Sequence, residues 1–176
     1  MIANMAPGSG PLPNGFSLRP PTITFSRELT LYVGGRTFRL ISTPGHTAGQ
    51  ATVYVPEEKV VFTGDNVVNK SMPFFHQALP LEWLESLKML DSLDIDVVVP
   101  GHGEVGDASC IREMRSTVQT WIDAVREAIK KGMSREEAMD RVSLLHLYPD
   151  RNADPERWAP IQRMGIGRLY QMLKDH

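Results

Sequence analysis

The hydrophobic pattern of the chain is of β type between Thr22 and about Val99. Short apolar runs alternate there with turn signals, in the order TITFS, LTLYVGG, RTFRLIST, QATVYV, KVVFTG and IDVVVP. The pair Gly34-Gly35 predicts a hairpin between two of these runs. The last run is continuous and apolar, which predicts a strand buried on both faces and a sheet covered by helices. A helical pattern, PLEWLESLKMLDSLD, precedes that run and predicts a β–α–β connection.

The pattern becomes helical after residue 107. One apolar stripe predicts a helix from Ser109 to Lys131, ended by Gly132. Ser134 and Glu137 match a capping box that opens a second helix over residues 134–146, and a third helix is predicted from Asp154 to near Lys174. The first 21 residues are rich in Pro and Gly and carry no such period. We therefore predict an α/β (α+β) chain with an extended arm over 1–21, a sheet domain over 22–106 and a helical extension over 107–176.

Composition narrows the range of partners and compartments. The formal net charge is −2, with 19 Lys plus Arg against 21 Asp plus Glu, which excludes a polybasic nucleic-acid arm. No apolar stretch is long enough to cross a bilayer, and the N-terminus has no signal-peptide pattern. The single cysteine, Cys110, has no partner for an internal disulfide, which favours a reducing compartment or indifference to redox state. The sequence thus predicts a cytoplasmic protein with neither nucleic acid nor membrane as a partner.

Three of the predicted strands end in a glycine that is followed by a side chain able to bind a metal. RLISTPGHT ends in Pro-Gly before His46, KVVFTGD ends in Gly before Asp65, and DVVVPGHGE ends in Pro-Gly before His102. Glycine permits a sharp turn and leaves space beside the next side chain, and loops beyond strand ends are where functional sites collect in layered α/β structures. Each position alone is typical of an ordinary turn or cap residue. Together, two imidazoles and a carboxylate suit a divalent cation, zinc above all, with iron or manganese also compatible.

The segments STPGHTAGQATVY, VVFTGDNVV and VVVPGHGEV resemble the second half of a metallo-β-lactamase-fold hydrolase, over about residues 22 to 106. The resemblance implies an αββα sandwich with two metal ions at one edge and a small-molecule substrate. It implies that His46 is the third histidine of the first zinc site, that His102 is the last histidine of the second, and that Asp65 is the catalytic carboxylate bridging both metals. It further implies a metal-held water that attacks a carbonyl or phosphorus centre. An Asp rather than a Cys at position 65 resembles the family's ester, thioester, lactone and phosphoester hydrolases.

Three polar side chains after the predicted bridging carboxylate are candidates for the substrate side of the site. They are Asn66, Asn69 and His76. A polar loop without a role in binding is the simpler interpretation of these residues.

The sequence departs from the family in its first half, because it contains no HxHxDH motif. The other histidines, His76, His146 and His176, are isolated. A catalytic zinc takes three protein ligands, so His46 alone for one metal and His102 with Asp65 for the other form an incomplete set. Half a sandwich also leaves one sheet face bare. We therefore expect a homodimer or a missing N-terminal half, and weak or no activity alone. A non-catalytic dimeric remnant and a single-metal binding module are the alternatives.

Overall fold

The structure is a computed structural model that describes residues 15, 17, 20–148 and 154–174, so most of the predicted arm lies outside the described residues. Five strands form one sheet in the order β1-β2-β3-β4-β5. Its first three pairings are antiparallel and the β4–β5 pairing is parallel, which confirms the α/β class and the β–α–β unit. The strands are β1 (Glu28–Val33), β2 (Arg36–Ser42), β3 (Ala51–Val55), β4 (Val60–Val68) and β5 (Val97–His102). The helices are α1 (Pro80–Asp91), α2 (Ser109–Lys130), α3 (Arg135–Arg141) and α4 (Pro155–Lys174).

The predicted hairpin is present, but the strand predicted over TITFS is not. Gly34 and Gly35 have φ values of 58° and 74°, as a two-residue turn between right-twisted strands requires. The pairing of β1 with β2 stops where the Ser42 N–H donates to the Arg27 carbonyl oxygen (2.8 Å). Beyond Ser42 the chain turns away toward the PGH segment, so residues 22–26 have no strand beside them to pair with among the residues that the structure describes.

The helical part follows the sequence with one difference. The Ser134–Glu137 capping box is formed at the start of α3, as predicted. However, α3 ends at Arg141, and only a short 3₁₀ turn, Leu145–Leu147, follows where the helix was expected to continue. The Gln162 side chain of α4 accepts the Leu144 N–H (2.6 Å), so a tertiary contact takes the backbone group that a longer helix would have used.

Helices cover one face of the sheet and share a single core with it. The sheet contributes Ile41, Tyr54, Val61 and Val98, all buried. The helices contribute large buried side chains, including Trp83, Leu87, Ile111, Trp121, Ile122 and Ile166. Residues from both the predicted sheet domain and the predicted helical extension therefore belong to one hydrophobic cluster. No helix in the described part of the chain is both long and apolar enough to cross a membrane.

The opposite face of the sheet, called here the open face, is also apolar. The cross-strand register places the following side chains on it: Leu29, Leu31, Val33, Phe38, Leu40, Val53, Val55, Val60, Phe62, Val97 and Val99. None of them belongs to the hydrophobic cluster under the helices. Phe62, in the middle of the sheet, is 45% exposed. The expectation that helices cover both faces of β5 is thus wrong for the described residues, because Val97 and Val99 point to the face without helices.

Candidate metal centre

The three residues singled out from the sequence meet at one edge of the sheet. His46 lies in the loop after β2 and His102 is the last residue of β5, as expected of strand ends. The predicted strand end before Asp65 is wrong, because β4 continues through Asp65 to Val68. His46 Nε2 lies 3.7 Å from Asp65 Oδ2, and His102 Nε2 lies 3.5 Å from Asp65 Oδ1. The two imidazoles therefore lie beside opposite oxygens of a single carboxylate. This follows from topology, because β4 and β5 are parallel neighbours whose C-terminal ends lie at the same edge, and the loop after β2 returns there.

Glycines make this approach possible. A Cβ on Gly101 would lie 2.7 Å from the Gly64 carbonyl carbon and 2.8 Å from the Asp65 nitrogen, and closer still to Asp65 Oδ1. A Cβ on Gly45 would lie 2.6 Å from Asn66 Oδ1. Real Cβ atoms essentially never come within 3.0 Å of such neighbours. The glycine before each imidazole is therefore required for close packing. The sequence analysis expected this, because glycine leaves space beside the next side chain.

Asn66 holds the His46 loop rather than facing the cleft. Its Oδ1 accepts the His46 backbone N–H (2.9 Å), and its Nδ2 donates to the Thr43 carbonyl oxygen (2.6 Å). Its own carbonyl oxygen accepts the Trp83 indole N–H (3.0 Å). Asn66 is completely buried with both ends of its amide engaged, so the structure corrects its predicted place on the substrate side. It is a positioning residue that ties β4 to the loop after β2.

The two imidazoles differ in environment. The His46 side chain is 14% exposed and packs edge-on against Trp83, with ring centroids 5.8 Å apart. Burial lowers the pKa of His46, against the opposing effect of the Asp65 carboxylate, so the ring is neutral and has a free lone pair at neutral pH. The Phe74 backbone also acts against burial and raises the pKa of His46. His102 is 70% exposed, and its ring faces solvent.

The remaining two predicted residues lie beside the centre. The Asn69 backbone N–H donates to the His102 carbonyl oxygen (2.9 Å), and its Nδ2 donates to the Glu104 carbonyl oxygen (2.8 Å). Asn69 therefore ties the end of β4 to the segment after β5, and it also lines the cleft. The His76 ring lies 6.1 Å from that of His46, but His76 is exposed and does not line the cleft.

A cleft of about 900 Å³ opens beside these residues. His46, Asp65 and His102 lie in its wall, with Lys70 and Glu113 as further charged groups. Its apolar lining comes from residues that were not among the candidates chosen from the sequence: Met72, Phe74, Met114, Leu147, Tyr148 and Trp158. Met114 and Trp158 lie on helices, where an apolar residue looks the same in sequence whether it faces a core or a cleft.

Tyr148 contributes a hydroxyl to the cleft, as Ser71 and Thr117 also do. Its oxygen accepts the Trp121 indole N–H (3.0 Å), which leaves the phenolic proton available to donate. Burial raises the pKa of Tyr148, so the hydroxyl stays protonated at neutral pH. Tyr148 can thus supply a neutral hydrogen-bond donor within an apolar wall.

The donors at this edge do not complete a metal site by themselves. Within the described ranges, no group of three or more His, Cys, Asp or Glu side chains could hold a metal ion. Each oxygen of Asp65 has one imidazole beside it, so a cation placed there would meet two protein donors, below the three that a catalytic zinc takes. The donor types suit a divalent cation such as zinc, but two of them are too few to hold a catalytic zinc.

Comparisons with known proteins identify the family and the fold of this chain. The model of the metallo-beta-lactamase superfamily matches residues 2–102, more than half of the chain. A metallo-beta-lactamase family protein of Thermus thermophilus has the same fold, with a TM-score of 0.63 at 24% identity over 89% of this chain and 50% of its own. The chain therefore belongs to the metallo-beta-lactamase superfamily.

Two curated relatives are enzymes. A hydroxyacylglutathione hydrolase of Brucella anthropi is 32% identical over 109 residues, which are 60% of this chain and 40% of that protein. An atrochrysone carboxyl ACP thioesterase of Aspergillus fumigatus is 38% identical over 80 residues, which are 43% of this chain and 18% of that protein. The chain thus spans less than half the length of these relatives.

Proposed function

We propose that this chain carries one half of the metal centre of a metal-dependent hydrolase, with Asp65 as the bridging carboxylate. His46 and His102 would each contribute one ligand, to different cations. The remaining ligands would come from residues outside this chain. Alone, the chain would then bind zinc weakly and hydrolyse substrates weakly or not at all.

One observation carries the proposal: two imidazole nitrogens face opposite oxygens of one carboxylate, at 3.7 and 3.5 Å. A carboxylate that only orients a histidine needs one such neighbour. A carboxylate that bridges two cations needs a separate donor beside each oxygen. The neutral state of His46, favoured by burial, is the state in which an imidazole can ligate a metal.

The cleft supports a substrate with an apolar acyl group and an ester or thioester bond. Phe74, Leu147 and Trp158 offer an apolar surface beside the carboxylate, while Tyr148 offers a neutral donor. Carbonyl oxygens are the acceptors that such a donor suits. The thioesterase and the hydroxyacylglutathione hydrolase among the relatives support the same substrate class. A cytoplasmic location, suggested by the lone Cys110, remains part of this proposal.

A second candidate is a protein without catalytic activity. The absence of a three-donor group among the described residues favours it, because two donors bind a cation weakly. Metal content after loading with zinc and desalting separates the candidates. If the chain is half of a hydrolase site, it should retain less than one zinc per chain after desalting, and this zinc should depend on Asp65. A non-catalytic remnant should retain no zinc above background. A stable content of about one zinc per chain indicates a single-metal module.

Matched variants make the experiment specific. Asp65→Ala should remove the retained zinc, because the carboxylate serves both positions. His76→Ala is the control, since His76 lies next to the centre but outside the cleft lining. Hydrolysis of a short acyl thioester should be weak in the same samples and lost in Asp65→Ala. Robust zinc-dependent turnover by the chain alone would contradict the incomplete half-site, and equal zinc loss in His76→Ala would contradict the assignment of ligands.

A further inference from the structure

The cleft beside the candidate metal centre becomes more apolar with depth. At its mouth, Lys70 and Glu113 are exposed, and the Asp65 side chain is 39% exposed. The buried part of the lining, called here the floor, consists of Met72, Cys110, Met114 and Trp158. A substrate whose reacting group lies at Asp65 therefore has a polar surface on one side and an apolar floor on the other.

One face of α2 forms a wall of the cleft that reaches from the floor to the mouth. Cys110, Glu113, Met114 and Thr117 line the cleft and recur at the spacing of residues on one helix face. Met114 is 3% exposed and belongs also to the hydrophobic cluster under the helices, so it separates the cleft from the core. Shortening this side chain should therefore extend the cleft inward.

The segment after β4 supplies the second methionine of the floor. Met72 is likewise 3% exposed, and it belongs to the same hydrophobic cluster. Methionine is unbranched and flexible, so the ends of two such side chains can pack against hydrocarbon of variable shape. A cleft of about 900 Å³ has the size of a small-molecule site.

We propose that Met72 and Met114 determine the longest acyl chain that the cleft accepts. This role rests on the proposed function, in which the acyl carbonyl group lies beside Asp65, so that the chain points toward the floor. The two methionines are specificity-determining residues and take no part in breaking the ester or thioester bond. The family model matches residues 2–102, so the wall formed by α2 lies outside the matched part of the chain.

Binding of straight-chain methyl ketones of increasing length to the purified chain tests this role. A methyl ketone has a carbonyl group and an alkyl chain but no bond for the centre to hydrolyse, so the measurement requires neither zinc nor turnover. Tryptophan fluorescence reports binding, because Trp158 lines the cleft. Each methylene that enters an apolar site should lower the Kd about fourfold. In the wild type this gain should stop at the length at which the alkyl end reaches the floor.

Matched variants locate that limit. Met114→Ala should move the limit to longer ketones, and Met72→Ala should act in the same direction. The first ketone beyond the wild-type limit should bind at least about fourfold more tightly to these variants than to the wild type. Ile122→Ala is the control, because Ile122 is fully buried on α2 but does not line the cleft. Circular dichroism confirms that each variant is folded, and either methionine variant suffices if the other does not fold.

The outcomes distinguish this role from the proposed metal centre. A wild type that binds no ketone, or whose affinity does not depend on chain length, would overturn the role of the floor. A limit that stays unchanged in the folded methionine variants, or that moves equally in Ile122→Ala, would also overturn it. A wild type that shows the expected limit but retains no zinc would support the floor while contradicting the metal half-site.

Discussion

Replacing Gly101 by alanine tests how tightly the candidate metal centre is packed. A Cβ at this position would lie 2.7 Å from the Gly64 carbonyl carbon and 2.8 Å from the Asp65 nitrogen. Both are backbone atoms of β4, the strand paired with β5, so no side-chain rotation relieves the contact. From 2.7 Å, the strands must separate by about 0.7 Å to reach 3.4 Å, where ordinary van der Waals contact begins. The variant should therefore strain both the sheet and the carboxylate.

The size of the effect follows from this overlap. Overpacking of a close-packed region costs about 1–3 kcal/mol of unfolding free energy. In a chain of this size each kcal/mol lowers the melting temperature by about 2–4 °C, so a decrease of about 2–12 °C is expected. The carboxylate of Asp65 must also move, because Oδ1 would be closest of all to the new methyl group. Retained zinc should therefore fall together with stability.

Thermal unfolding followed by circular dichroism measures the effect, with Gly49→Ala as the matched control. Gly49 is exposed, and a Cβ there would meet no atom within 4 Å. The control should therefore change stability by less than about 0.5 kcal/mol. A Gly101→Ala protein that melts within about 1 °C of both the wild type and the control would refute the packing argument. Such a result would mean that β4 and β5 separate at the site without cost.

Further predictions concern other contacts of the centre and the cleft. Asn66→Ala should lower the unfolding free energy by about 1–3 kcal/mol in urea titrations, because buried backbone groups lose their partners; an unchanged midpoint would contradict its positioning role. Burial lowers the pKa of His46 below 6.5, so the unfolded chain binds more protons there. In the presence of a chelator, the free energy of unfolding should therefore be greatest above pH 6.5 and should decrease as the pH falls through that value. The decrease should be smaller in His46→Gln, and equal pH profiles of the wild type and this variant would contradict the lowered pKa. Tyr148→Phe should cost about 1–3 kcal/mol by leaving the Trp121 indole N–H unpaired, and a melting curve like that of the wild type would show that another acceptor replaces the hydroxyl.

Local patterns in the sequence were sufficient to predict much of the fold. The Gly34-Gly35 hairpin and the capping box at Ser134 depend on near neighbours in the chain, and both are present. The parallel return of β5 was predicted from the helical pattern between two apolar runs, and it is also present. The sequence was less reliable where contacts between distant residues determine the local structure. The end of α3 depends on the side chain of Gln162, which lies in another helix.

The sequence by itself determined the residue types of the candidate centre and the glycine that precedes each of them. His46 and His102 lie at the ends of their strands as predicted, whereas Asp65 lies within β4. Only the tertiary structure decided that the imidazoles face opposite carboxylate oxygens, and that Asn66 is buried beneath them. It also decided that Tyr148 lines a cleft, because this residue lies between helices, where no sequence period indicates which way a side chain faces.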